Sequence, residues 1–130
     1  MGEVKIPLYT TSVQAGFPSP ADDFIEKHLD LNEHLVKRPE ATFFVRVRGE
    51  SMLGAGIYDG DILIVDRSCL ISPGNIIVAA LDGELTVKRL LKDKGQIILA
   101  PENPLYEPLI ITAESDFLVW GRVKHAIRSF

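Results

Sequence analysis

Cysteine is all but missing from this chain: Cys69 is the one thiol among 130 residues, so no disulfide can form within it. That fits a reducing compartment. Beside Leu70 and Ile71 the residue reads as a small packing side chain rather than a nucleophile. Long apolar runs are missing too. Stretches such as Ile76 to Leu81 fall far short of the roughly 20 residues needed to span a bilayer. The N-terminus lacks the basic-then-apolar order of a secretory signal. These features predict a cytoplasmic protein with no membrane segment. Positive charge is in deficit, with 14 Lys and Arg against 18 Asp and Glu and a net charge of -4. Phosphate binding needs clustered cations, so a broad nucleic-acid surface is not expected. Histidine is sparse as well. His28, His34 and His125 show no metal-ligand spacing, while a turn and strand account for Asp59, Asp61 and Asp66. No metal and no cofactor is expected.

What is present has the size and balance of one globular domain, with 46% hydrophobic and 25% charged residues. Residues 1-20 show no sustained period. Thr10-Thr11-Ser12 and Gly16-Phe17-Pro18-Ser19-Pro20 read as an extended, mobile arm ahead of a body spanning 21-130. Ser19 offers a helix N-cap, Pro20 suits the first helical position, and Asp22 and Asp23 fit the positive end of a helix. Phe24, Ile25, His28 and Leu29 then share one helical face, which predicts a short helix docked on the body. Asp30-Leu31-Asn32 turns the chain into a second helical stretch ending near Lys37.

Beyond Pro39 the signals are β. Strands are predicted over 42–48, 61–66, 75–81, 84–90 and 96–99, with one long or bent strand over 117–127. Tyr58-Asp59-Gly60-Asp61, Ser72-Pro73-Gly74-Asn75 and the hairpin dipeptide Asp82-Gly83 punctuate them. The spacing predicts a mainly β, rolled or partly closed body with one or two short helices. Trp120, in the last strand, reads as a core or dimer contact. The run from Pro101 to Pro108 reads as a rigid surface loop with no part in catalysis.

Ser51 and Lys88 carry the chemistry. Ser51 follows Val47-Arg48-Gly49-Glu50, where a strand breaks at a glycine, and Lys88 closes the strand run Glu84-Leu85-Thr86-Val87. A serine hydroxyl becomes a nucleophile once a base takes its proton, and a neutral lysine can be that base. Lysine ordinarily titrates near 10.4, which leaves well under ~1% neutral at pH 7. Burial among Leu85, Val87, Leu90 and Leu91 would lower that value. Thr86 lies two residues earlier on the same strand face and can aim the amine. The amides of Ser51 and Met52, at the start of a turn, are free donors for an oxyanion. Taken singly, Ser51 is a helix cap, Lys88 a solvated strand-end lysine and Thr86 a strand former. Their joint context sets them apart.

Gly49-Glu50-Ser51-Met52, Gly56-Ile57-Tyr58-Asp59-Gly60-Asp61, Ile64-Val65-Asp66 and Gly83-Glu84-Leu85-Thr86-Val87-Lys88-Arg89 together resemble the self-cleaving Ser-Lys peptidases of the LexA family. Gly16-Phe17-Pro18-Ser19-Pro20-Ala21 and Asp30-Leu31-Asn32 make its UmuD-type branch the nearest likeness. The resemblance runs from about Gly16 to the C-terminus and implies a LexA/signal-peptidase-like rolled β body. It implies Ser51 as nucleophile, Lys88 as general base and Ala15-Gly16 as the bond cut. Small Ala15 suits a narrow pocket and Gly16 lets the backbone come close. It further implies stimulation by a RecA filament on single-stranded DNA. The implied product, residues 16-130, is a homodimeric accessory subunit of a UmuC-type Y-family translesion polymerase. Only fourteen residues precede Ala15, too few for a helix-turn-helix, so no direct sequence-specific DNA binding is expected. Two other readings stay open: a non-cleaving dimeric binding module of the same fold, and the C-terminal part of a LexA-like or phage repressor.

Overall fold

A computed structural model describes residues 4–9, 15 and 25–130. The chain divides into two compact units, Met1–Lys37 and Arg38–Phe130.

In the first unit, strand β1 (Ile6–Tyr9) pairs antiparallel with β2 (Ile25–Leu29), setting Ile6 opposite Leu29 and Leu8 opposite Lys27. The helix predicted from Phe24, Ile25, His28 and Leu29 is therefore corrected: Ile25 to Leu29 is a strand. Ile25 and Leu29 satisfy both a helical and a two-residue period, and Ile6–Tyr9 supplies a ladder that a lone helix lacks. Ser19, Pro20, Asp22, Asp23 and Phe24 lie outside the described residues. The second predicted helix is present as α1 (Leu31–Leu35), capped by the Asp30 carboxylate, which accepts from the Asn32 and Glu33 amides at 3.0 and 3.4 Å.

The second unit is built on β3 (Thr42–Arg46), β4 (Ile62–Asp66), β5 (Ile76–Leu81), β6 (Glu84–Asp93), β7 (Gln96–Ala100), β8 (Leu109–Ile111) and β9 (Phe117–Ile127). They form one antiparallel sheet in the order β3-β4-β9-β5-β6-β7-β8. The predicted strands are all here. β8, three residues long, was not anticipated. Asp82 and Gly83 both take positive φ, 50° and 86°, as a two-residue hairpin requires, and Lys94-Gly95 repeats the device between β6 and β7.

Buried residues of the sheet fall into two clusters. Along β5, Val78 joins a core with Val47, Met52, Ile57, Leu63 and Val65, while Ile77 and Ala79 join another with Leu99. β9 bridges the halves, and its register shifts against both β4 and β5. Gly121 sits at that junction, where a Cβ would lie 2.8 Å from Val65 Cγ1 and 2.9 Å from the Asp66 carbonyl oxygen. Only glycine lets the strands come this close. Trp120 packs edge-on to Phe43, with ring centroids 5.8 Å apart, at the margin of the first core.

Candidate active site

Ser51 lies in the segment that joins β3 to β4. The strand predicted to Arg48 ends at Arg46, but Val47 prolongs the pairing, donating to the Asp61 carbonyl at 2.8 Å and accepting from the Gly60 amide at 2.9 Å. Gly49 then takes φ +92°, a left-handed conformation that favours glycine, and its N–H is held by Asp59 Oδ1 at 2.7 Å. Ser51 and Met52 occupy the turn that follows, and Leu53–Ala55 form one 3-10 turn. The Met52 side chain is buried in the first core and anchors the turn from beneath.

Lys88 comes from β6 and meets this turn. Its Nζ lies 3.1 Å from Ser51 Oγ, 2.9 Å from Thr86 Oγ1 and 3.1 Å from the Val87 carbonyl oxygen. A protonated amine can donate to all three. Once deprotonated, with its two N–H groups given to Thr86 and Val87, its lone pair would face the Ser51 hydroxyl. Burial pushes the Lys88 pKa below the ordinary lysine value, which favours that neutral form. The shielding matches expectation in part. Leu85 and Val87 line a cleft of about 250 Å³ with Lys88, joined by Val45, Val47 and Val78, although Leu85 is 50% exposed. Leu90 and Leu91 are not in that lining.

The loop after β7 grips the serine turn from the other side. Asn103 Nδ2 donates to the Glu50 carbonyl at 2.8 Å, and the Glu102 amide donates to the Ser51 carbonyl at 2.8 Å. The Glu102 carbonyl in turn accepts from the Gly54 amide at 2.7 Å. The Glu102 carboxylate is bonded by Arg89 Nε, and Arg89 Nη1 also reaches the Gly74 carbonyl. Arg89 is the immediate neighbour of Lys88, so the loop is tied to both halves of the pair. Sequence reasoning left this loop without a role. Its one local signal is Asn103, whose Oδ1 accepts from the Leu105 amide at 3.0 Å in an Asx turn.

Ala15 is exposed in a bend, and Gly16 lies outside the described residues. Asp61 is buried and bound by Arg128, Asp66 by Ser68 and Arg38, and Asp59 by the Gly49 amide. His28 pairs across the ladder with Pro7. Among the described residues no helix is long and apolar enough to cross a membrane.

Comparison with known proteins gives a consistent result. The family described as Peptidase S24-like matches residues 7–124. Protein ImpA of Salmonella typhimurium is 45% identical over 127 residues, covering 93% of this chain and 82% of its own. Protein MucA of Escherichia coli is 42% identical over 124 residues, covering 95% and 84% respectively. LexA repressor 1 of Geobacter sulfurreducens is 40% identical over 112 residues, and the match covers 85% of this chain but 55% of that repressor.

Proposed function

The chain belongs to the Peptidase S24-like family, and from that membership we propose that it is a self-cleaving serine endopeptidase of the SOS response, of UmuD type. The observation that carries the reading is the 3.1 Å contact between Lys88 Nζ and Ser51 Oγ, with both other amine positions occupied by acceptors.

In this reading Lys88 takes the Ser51 hydroxyl proton as Oγ attacks the Ala15 carbonyl carbon. The carbonyl oxygen becomes an oxyanion held by the Ser51 and Met52 amides. The Lys88 ammonium then passes its proton to the Gly16 nitrogen, the Ala15-Gly16 bond breaks, and Gly16 becomes a new N-terminal amine while residues 1–15 stay esterified to Ser51 through the Ala15 carbonyl. Water, deprotonated by the again-neutral Lys88, releases the 1–15 fragment from Ser51 as a free acid and restores the hydroxyl. Thr86 keeps the amine aimed throughout. Holding the arm on the same assembly as the nucleophile replaces much of the entropic cost of a bimolecular encounter. It also makes the rate depend on arm docking, which a partner can bias. The partner proposed is a RecA filament on single-stranded DNA. The cleaved form acts as a homodimeric accessory subunit of a UmuC-type Y-family polymerase in the cytoplasm.

The test is intact mass after incubating the purified chain from about pH 7 to 10, since a lysine base becomes neutral as pH rises. Wild type should release a 1–15 fragment faster at high pH, with none from Ser51→Ala or Lys88→Ala. Where wild type stays whole, activated RecA filament is added. A chain left whole even then is a binding module of this fold. Cleavage that persists in Ser51→Ala belongs to another protease and sinks the mechanism.

A further inference from the structure

The peptide units on either side of Ser51 are each held by their carbonyl. The Glu50 carbonyl accepts from Asn103 Nδ2 and the Ser51 carbonyl from the Glu102 amide, both at 2.8 Å. In a trans peptide the C=O and N–H point to opposite sides of the chain, and among the described residues there is no cis bond. Fixing the Glu50 carbonyl therefore fixes the Ser51 N–H, and fixing the Ser51 carbonyl fixes the Met52 N–H. Neither of these two amides donates to any described residue.

We propose that Asn103 is a positioning residue for acyl transfer: through the Glu50 carbonyl it aims the Ser51 amide at the developing oxyanion, with Glu102 doing the same for Met52. The inference rests on the peptidase reading and adds to it a loop that lies 53 residues from its target in sequence. The loop is itself braced. Asn103 Oδ1 is closed on the Leu105 amide, the Glu102 carbonyl on Gly54, and the Glu102 carboxylate on Arg89. Donors that are fixed before the reaction cost no reorganisation when charge develops, and this is the source of their catalytic effect. A carboxamide is the suitable group here because one side chain needs a donor for Glu50 and an acceptor for Leu105.

Two substitutions separate aiming from folding. Asn103→Asp keeps an acceptor for the Leu105 amide but sets a carboxylate oxygen against the Glu50 carbonyl. Asn103→Ser also keeps a short acceptor for the Asx-like turn, with no charge and no amide to reach Glu50. The full chain of each variant is followed for self-cleavage across the pH range, with RecA filament present, giving a plateau rate and a midpoint. Both variants should lower the plateau by at least about ten-fold, since losing an oxyanion donor outright costs roughly a hundred-fold or more. The midpoint, which reports Lys88, should stay where it is in wild type. Circular dichroism shows which variant is folded, and either one suffices. A plateau unchanged in a folded variant overturns the inference. So does a plateau that falls together with a displaced midpoint, because the Ser51–Lys88 pair itself has then come apart and Asn103 is merely structural. Wild type that never cuts removes the peptidase reading and this inference with it. Wild type that cuts beside unaffected Asn103 variants removes only the inference.

Discussion

Arg128 grips Asp61 with both sides of its guanidinium, Nε to Oδ1 at 2.9 Å and Nη2 to Oδ2 at 2.8 Å. The same Nη2 reaches the Gly56 carbonyl at 2.7 Å, and the guanidinium carbon lies 3.8 Å from the Tyr58 ring centroid. The last residues of the chain thus clamp the far end of the segment that carries Ser51. The Asp61 carboxylate is 1% exposed, and hydrogen bonding from Arg128 holds its pKa below the ordinary aspartate value despite burial.

Arg128→Ala should therefore lower stability at neutral pH, because it leaves a buried carboxylate without its cation. The lowered pKa means this stability is present above the unfolded value near ~3.9 and is lost as pH falls through the folded pKa. Urea unfolding followed by Trp120 fluorescence should show the gap between wild type and variant closing in acid. An unchanged gap at low pH would mean that the pair is not what stabilises the loop.

Thr86 Oγ1 accepts a hydrogen bond from the Lys88 amine at 2.9 Å. Thr86→Val keeps the shape of the side chain and removes the acceptor, so the amine is free to turn its lone pair away from Ser51. Self-cleavage should slow roughly ten- to a hundred-fold, the cost of misaligning reacting groups. Thr86→Ser should recover most of the rate. Recovery by valine and not by serine would show that the methyl group matters and the hydroxyl does not.

Lys88 also makes stability depend on alkaline pH. Its folded pKa lies below the unfolded value of about 10.4, so the unfolded chain holds more protons between the two. The folded state is penalised in full below the folded pKa and is relieved as pH rises through it. In a Ser51→Ala background, which removes self-cleavage from the measurement, wild-type Lys88 should gain stability over Lys88→Met as pH climbs towards ~10. Thermal melts of the two chains in parallel would show it; a difference that stays flat across this range means Lys88 is solvated.

Much of the body is legible in the sequence because its strands alternate and its turns carry the residues their geometry needs. Val78 between Ile77 and Ala79, or Asp82-Gly83 at positive φ, are local statements that a single stretch of chain makes about itself. Ser51 and Lys88 are legible for another reason: each lies in a local run specific enough to be recognised apart from its partner, although Lys88 falls in the middle of β6 and not at the strand end expected. What is not legible is non-local. The strand Ile25–Leu29 takes its identity from Ile6–Tyr9, and a five-residue stretch does not distinguish a period of two from one of 3.6. The grip of Glu102 and Asn103 on the serine turn leaves no periodic trace, since it joins backbone to a loop far along the chain.

Gly54 tests that grip directly. Its amide donates to the Glu102 carbonyl at 2.7 Å, and a Cβ built on it would lie 2.7 Å from the same oxygen. The obstacle is backbone, so it does not swing aside as a side-chain tip would. Gly56, two residues on, is the natural control: it has φ +81° and nothing within 4 Å of a Cβ. Gly56→Ala meets only the left-handed backbone penalty, about 1 to 2 kcal/mol, and leaves the loop where it is. Gly54→Ala meets no such penalty but must push the loop away, at a cost of about 1 to 3 kcal/mol. The two variants should therefore be comparably destabilised and yet differ in chemistry. Gly54→Ala should cleave itself more slowly, since the push displaces Glu102 from the Ser51 carbonyl, while Gly56→Ala keeps the wild-type plateau. Equal plateaus in the two, measured where both are folded, would mean that the loop does not hold the serine turn in register.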